Sequence, residues 1–250
     1  MKPGLATAVL TLLVVAILAL CFLALAPRPG SASLKDLLFA DDPLEKSAEL
    51  GRGEKLPAES PFRGFAAARS LARAGKAEEA KKELRPLLTN PETRIQLWAW
   101  RALRELGEKP DPKAVDGVQG VVCELSNEAG VGTLAVYADG RARWLGGEGA
   151  VTVWEAPGKD AGIDQGIRKL LGAGSPLVRS APARDQHLGS SLAKDRFRVS
   201  VLTYGGVHVV EAFGPDIDEA HALAPALLAS GPLIEALTRQ TSGAKESGAR

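Results

Sequence analysis

From Leu5 to Ala26 the chain runs without a charged side chain, mostly Leu, Ala and Val, between Lys2 and Pro27-Arg28-Pro29-Gly30. As a helix rising ~1.5 Å per residue, this run is roughly 33 Å long, enough to cross a hydrocarbon core of about 30 Å. It predicts a transmembrane anchor over residues 1–30, with the lipid bilayer as the first partner. A cleaved signal peptide, and so a secreted protein, is the competing reading. Gly30-Ser31-Ala32-Ser33 supplies small residues for cleavage, but the apolar stretch exceeds the about 7–15 residues usual for such signals. Leu20, directly before Cys21, is too bulky for a lipoprotein signal, so Cys21 is read as an apolar side chain within the span.

Lys2 stands on one side of the span and Arg28 and Lys35 on the other, so charge alone does not orient it. A very short amino-terminal tail stays inside in bacterial signal-anchor proteins. That predicts attachment to a bacterial inner membrane with the soluble part in the periplasm. A lone soluble cysteine, Cys123, suits a reducing compartment better unless it is buried.

Lys and Arg total 31 against 30 Asp and Glu, so no basic field invites nucleic acid. Two cysteines and three histidines, none at ligand spacing, predict no metal and no disulfide framework. No cofactor is expected.

Pro and Gly are scattered among charges over residues 31–60, which reads as a linker, with one short helix capped by Ser33 and reaching Phe39. Between Pro61 and Lys109 the apolar period is helical. Phe65, Ala68, Leu71 and Ala72 form one stripe, Gly75 a stop, and Ala77, Ala80, Leu84, Leu87 and Leu88 a second stripe. Ile95, Trp98, Leu103 and Leu106 make a third, closed by Gly107. Trp98 and Trp100 point to different faces of that helix, as a packing seam or an interaction surface.

After Lys109-Pro110-Asp111-Pro112 the period changes to two, opening a second module over residues 116–239. Strands are expected over 118–125, 133–137, 141–145, 150–155, 196–203 and 207–213, with Asp139-Gly140 as the strongest hairpin signal. Helices are expected over 163–171, with 172–195 as a long connection, and over 217–237, interrupted at Pro225 and Gly231-Pro232. Residues 240–250 are expected to fray. The fold class is α+β: an anchor helix, a short helical hairpin region, then a small antiparallel sheet covered by helices.

Three resemblances follow from these residues. The stretch from Ala67 to Leu84, with Gly75 at the turn and Ala80 at the crossing, resembles a tetratricopeptide-type hairpin. It lacks the early aromatic, since Gly64 stands there, and has one unit where about three stack. The element order of the second module resembles the profilin and roadblock class. The string Thr133–Arg143, with Val153-Trp154-Glu155 and Val201–His208, also resembles a set of uncharacterised bacterial membrane-anchored proteins over residues 118–237, which implies no activity.

Chemistry is sparse. His187 lies near Asp185, Ser190 and Ser191, the residue types of a hydrolytic triad, but in a loop without a nucleophile elbow. His208 sits in a strand and His221 near a helix start. Gly172-Ala173-Gly174-Ser175-Pro176 reads as helix termination and not as a phosphate loop. Arg141 and Arg143 share one strand face opposite Trp144 and offer a cationic strip. The sequence therefore predicts no enzyme. It predicts a membrane-anchored interaction or scaffolding module whose partner is another membrane or envelope protein, with a tethered small-ligand sensor as the alternative. A pocket at Tyr137, Tyr204 and His208 would favour the sensor; a flat apolar patch near Trp98 or Trp144 would favour a protein partner.

Overall fold

The period-two segments assemble into one seven-stranded antiparallel sheet in a computed structural model that describes residues 34–50, 57, 59–128, 130–147, 149–189 and 191–247. The strands are β1 (Val118–Asn127), β2 (Gly130–Tyr137), β3 (Ala142–Leu145), β4 (Val151–Trp154), β5 (Ala183–Arg184), β6 (Arg196–Thr203) and β7 (Gly206–Phe213), in the order β4-β3-β2-β1-β6-β7-β5. Asp139-Gly140 turns β2 into β3, with Gly140 at φ 81°, a backbone conformation open chiefly to glycine. The two-residue strand β5 was not expected; it is too short to carry a periodic signal.

Six helices accompany the sheet among the described residues: α1 (Leu44–Ser47), α2 (Pro61–Arg73), α3 (Ala77–Leu84), α4 (Thr93–Glu105), α5 (Ala161–Ser180) and α6 (Ala224–Ser247). None is long and apolar enough to cross a membrane, and the Leu5–Ala26 run lies outside the described residues.

Alternation along β1 sends Val121 and Cys123 to one face and Val122 and Glu124 to the other. On the first face Val121, Cys123, Leu134, Val136, Val199 and Val201 pack against Ile163, Ile167, Leu170 and Leu177 of α5 and Leu233 and Leu237 of α6. On the second, Val122, Ala135, Leu202 and Val207 join Ile95, Leu97, Trp98, Ala99 and Leu103 of α4, and through them Phe65 and Leu84. The result is three layers, helix on sheet on helix, with the described residues from Leu34 onward forming one compact unit. The helical region shares a core with the sheet. A single helical hairpin cannot bury both of its faces, and α4 closes it onto β1 and β6.

Three expectations change. Residues 172–195 are not all connection, because α5 continues through Pro176 to Ser180. Its buried stripe of Ile163, Ile167, Leu170, Gly174, Leu177 and Val178 keeps helical spacing throughout, and packing on the sheet outweighs the ~3 kcal/mol penalty of an internal proline. The terminal helix starts later than expected, at Ala224, passes Pro232, and reaches Ser247, beyond the start of the expected frayed tail.

The third change concerns the linker. Leu38, Phe39, Ala40, Leu44 and Ala48 are buried in the same core as α4, so residues 34–50 form a strap laid on the body and not a free tether. Burying each large side chain of the strap contributes about 1.5–3 kcal/mol.

Candidate functional site

Two places combine unusual chemistry with position: the attachment of the strap, and the edge strand β4.

At the strap, a 3-10 turn over Asp36–Leu38 leads to Phe39 and to Ala40, whose φ of 49° is a left-handed conformation that non-glycine residues rarely adopt. The turn is held from both sides. The Tyr137 hydroxyl of β2 donates to the Leu38 carbonyl at 2.6 Å, and the loop residue His187 stacks flat on Phe39, with ring centroids 3.9 Å apart. His187 Nδ1 lies 3.0 Å from the Asp41 carboxylate, its Nε2 lies 3.3 Å from Asp36 Oδ1, and its backbone N–H donates to Asp41. Burial opposes the charged ring, but Asp41 and then Asp36 more than offset this, so the pKa is raised above the ordinary histidine value. Of the triad residue types that the sequence reading set aside, Asp185 faces Arg101 and Arg104 of α4, at 3.5 and 3.8 Å, and Ser190 lies outside the described residues.

Next to the strap the second sheet face carries a buried ion network. Glu124 of β1 and Arg198 of β6 are register partners, 0 and 2 % exposed, with Arg198 Nη1 3.3 Å from Glu124 Oε2. Arg198 also binds Glu211 of β7 and the Leu188 carbonyl, while Lys35 of the strap reaches Glu124 Oε1 at 2.5 Å. Sequence reading missed this network, since an alternating strand gives no sign of which polar position faces inward across a neighbour.

The residues expected to line a pocket occupy separate internal roles. Tyr137 is buried on the helical-hairpin face and its phenol is spent on Leu38. Tyr204 donates to Gln96 Oε1 at 2.7 Å and lies against Trp100. His208 pairs with Val201, on the opposite face from Tyr137, and places Nδ1 2.8 Å from the Ala181 carbonyl at the end of α5. Trp98 is buried against Phe62 in the core, so of the two helix tryptophans it is the one that seals the seam. His221 accepts the Leu223 N–H at 3.1 Å, a local cap.

The cationic strip is neutralised. Arg143 is buried and pairs with Glu155, and Arg141 binds both Glu155, at 2.6 Å, and Asp139, at 2.8 Å. Trp144 packs into the α5/α6 core. No family model, curated protein or solved structure matches this chain. Its own surfaces must carry the functional reading, and the surface beside Trp144 is the informative one. Thr152 of β4 is the register partner of Trp144, and Val151 and Val153 on either side of it are 48 and 53 % exposed. They lie on the face shared with Leu145 and Arg143, along a strand that forms one edge of the sheet.

Among the described residues no group of three or more His, Cys, Asp or Glu side chains is placed to hold a metal ion. The buried thiol of Cys123 is pushed up to about 12 by burial and then by Glu124, which suppresses the thiolate needed of a nucleophile.

Proposed function

We propose that this chain is a membrane-anchored, non-catalytic interaction module that binds an extended segment of another membrane or envelope protein along β4. The observation that carries the reading is the composition of this edge strand. Proteins usually protect such edges with lysine, proline or a bulge, whereas Val151-Thr152-Val153-Trp154 contains none of the charges or prolines that repel an incoming strand. Added strands gain main-chain hydrogen bonds from the edge and side-chain contacts at alternate positions, here Val151 and Val153. The neutralised Arg141 and Arg143 beside them favour an apolar over an acidic segment. The uncharged run Leu5–Ala26 supports the anchor, and the engagement of Tyr137, Tyr204 and His208 in internal contacts takes away the motive for a ligand sensor.

The test is site-specific photocrosslinking from Val153 in the full-length protein at native level. A discrete adduct with a membrane or envelope protein, lost in Val151→Lys/Val153→Lys, is expected. An unchanged adduct in that variant, or none in the parent, overturns the reading. Extraction of the full chain from membranes by alkaline carbonate, without detergent, overturns the anchor.

A further inference from the structure

The geometry points to His187 as a proton-operated clasp that fastens the strap segment Asp36–Asp41 to the body and tightens as pH falls. The two ring nitrogens face two different carboxylates of the strap, Nδ1 toward Asp41 and Nε2 toward Asp36. Only the imidazolium has a donor on both nitrogens; the neutral ring must turn one lone pair toward a carboxylate oxygen. One contact of the clamp therefore exists only when the ring is charged, whichever tautomer the neutral form adopts. The ring cannot swing away to avoid this, because Phe39 is stacked on it and the His187 N–H is tied to Asp41.

Charged groups approach this corner from the strap, α4 and β6. From the strap, Asp36 and Asp41 favour the charged ring, and Lys35 is turned to Glu124. From α4, Arg101 and Arg104 oppose it but share Asp185, which belongs to the same loop as His187. From β6, Arg198 reaches that loop at the Leu188 carbonyl and is paired with Glu124 and Glu211. The raised pKa of His187 agrees with a net excess of carboxylate at the ring.

The sign follows from linkage. A histidine whose pKa is higher in the closed than in the open strap stabilises closure fully below its open-state pKa, and loses that contribution as pH rises through the closed-state value. Leu38, Phe39, Ala40, Leu44 and Ala48 remain buried apolar contacts at any pH, so the proton sets how often the strap opens and does not discard it. Ala40, in its left-handed conformation, marks the place where opening relieves backbone strain.

Amide hydrogen-exchange protection factors, which correct for intrinsic exchange at each pH, test the clasp in the full-length chain. Phe39, Ser47 and Ala48 report on the strap through their N–H bonds to Asp36, Pro43 and Leu44. Protection at these amides is expected to fall threefold or more between pH 6 and pH 9, while β1 amides hold constant. In His187→Gln, which is neutral throughout, the strap should show less than half of that fall. Asp36→Asn, which removes the Nε2 partner's charge and leaves Asp41 in place, should likewise halve it or better. A flat response in the parent overturns the clasp. So does an undiminished response in His187→Gln or, if that chain does not fold, in Asp36→Asn. The readout involves neither β4 nor the bilayer, so its failure is separate from failure of the proposed function.

Discussion

Tyr137 and Leu38, 99 positions apart in the chain, are joined by a buried 2.6 Å hydrogen bond from the phenol to the backbone carbonyl. It ties the strap to the middle of the sheet. Burial raises the Tyr137 pKa well above the ordinary tyrosine range, so the donor stays protonated. Tyr137→Phe leaves the Leu38 carbonyl without this donor and should cost about 1–3 kcal/mol, read as a lower urea midpoint at unchanged m-value.

Arg198 and Glu124 call for a different substitution. Arg198→Met keeps much of the volume but leaves Glu124, among the described residues, with the partly exposed Lys35 as counter-charge. Breaking a buried pair by removing one partner costs about 3–5 kcal/mol, so the loss in urea unfolding should approach that range. Arg198→Met with Glu124→Gln should recover part of it, and a double variant as unstable as the single one would refute the pairing as the cause.

The glycines of α5 make opposite predictions two residues apart. A Cβ at Gly172 meets nothing within 4 Å, so Gly172→Ala should stabilise by about 0.5–1 kcal/mol through helix propensity. A Cβ at Gly174 would stand 2.8 Å from Val121 Cγ2 of β1, so Gly174→Ala should destabilise by about 1–3 kcal/mol despite the same gain in propensity. Thermal melts of the two variants, moving in opposite directions, check both at once.

Cys123 should be silent toward thiol reagents in the native protein. In a Cys21→Ser background at pH 8, a disulfide-exchange reagent should label less than a tenth of the chains before unfolding and all of them in denaturant. Burial and a pKa near 12 keep the thiolate population very small. Rapid native labelling would show that the α5/α6 layer opens readily.

The sequence by itself determined most of the longer elements, because each is a local period. The alternation around Asp139-Gly140 marks β2 and β3, the residues flanking Gly205-Gly206 become β6 and β7, and the stripes on either side of Gly75 become α2 and α3. The α+β class follows from those periods. The same reasoning could have carried α5 past Leu171, since Gly174, Leu177 and Val178 continue its stripe; the glycine and proline content obscured a signal that was present.

Only the tertiary structure decided what those elements face. Nothing local in Asp36, Phe39 and Asp41 announces His187, 146 residues beyond Asp41, and nothing in β1 says that Glu124 will meet Arg198 rather than water. Arg141 and Arg143 looked available because the strand pattern shows which face they share but not that Asp139 and Glu155 come to meet them. Period is fixed by backbone geometry within a few residues, whereas charge pairing and burial are fixed by which distant segment arrives. The strap illustrates the difference: its prolines and charges read as a linker, and it became core because α4 and the sheet left an apolar surface for Leu38, Phe39 and Leu44 to cover.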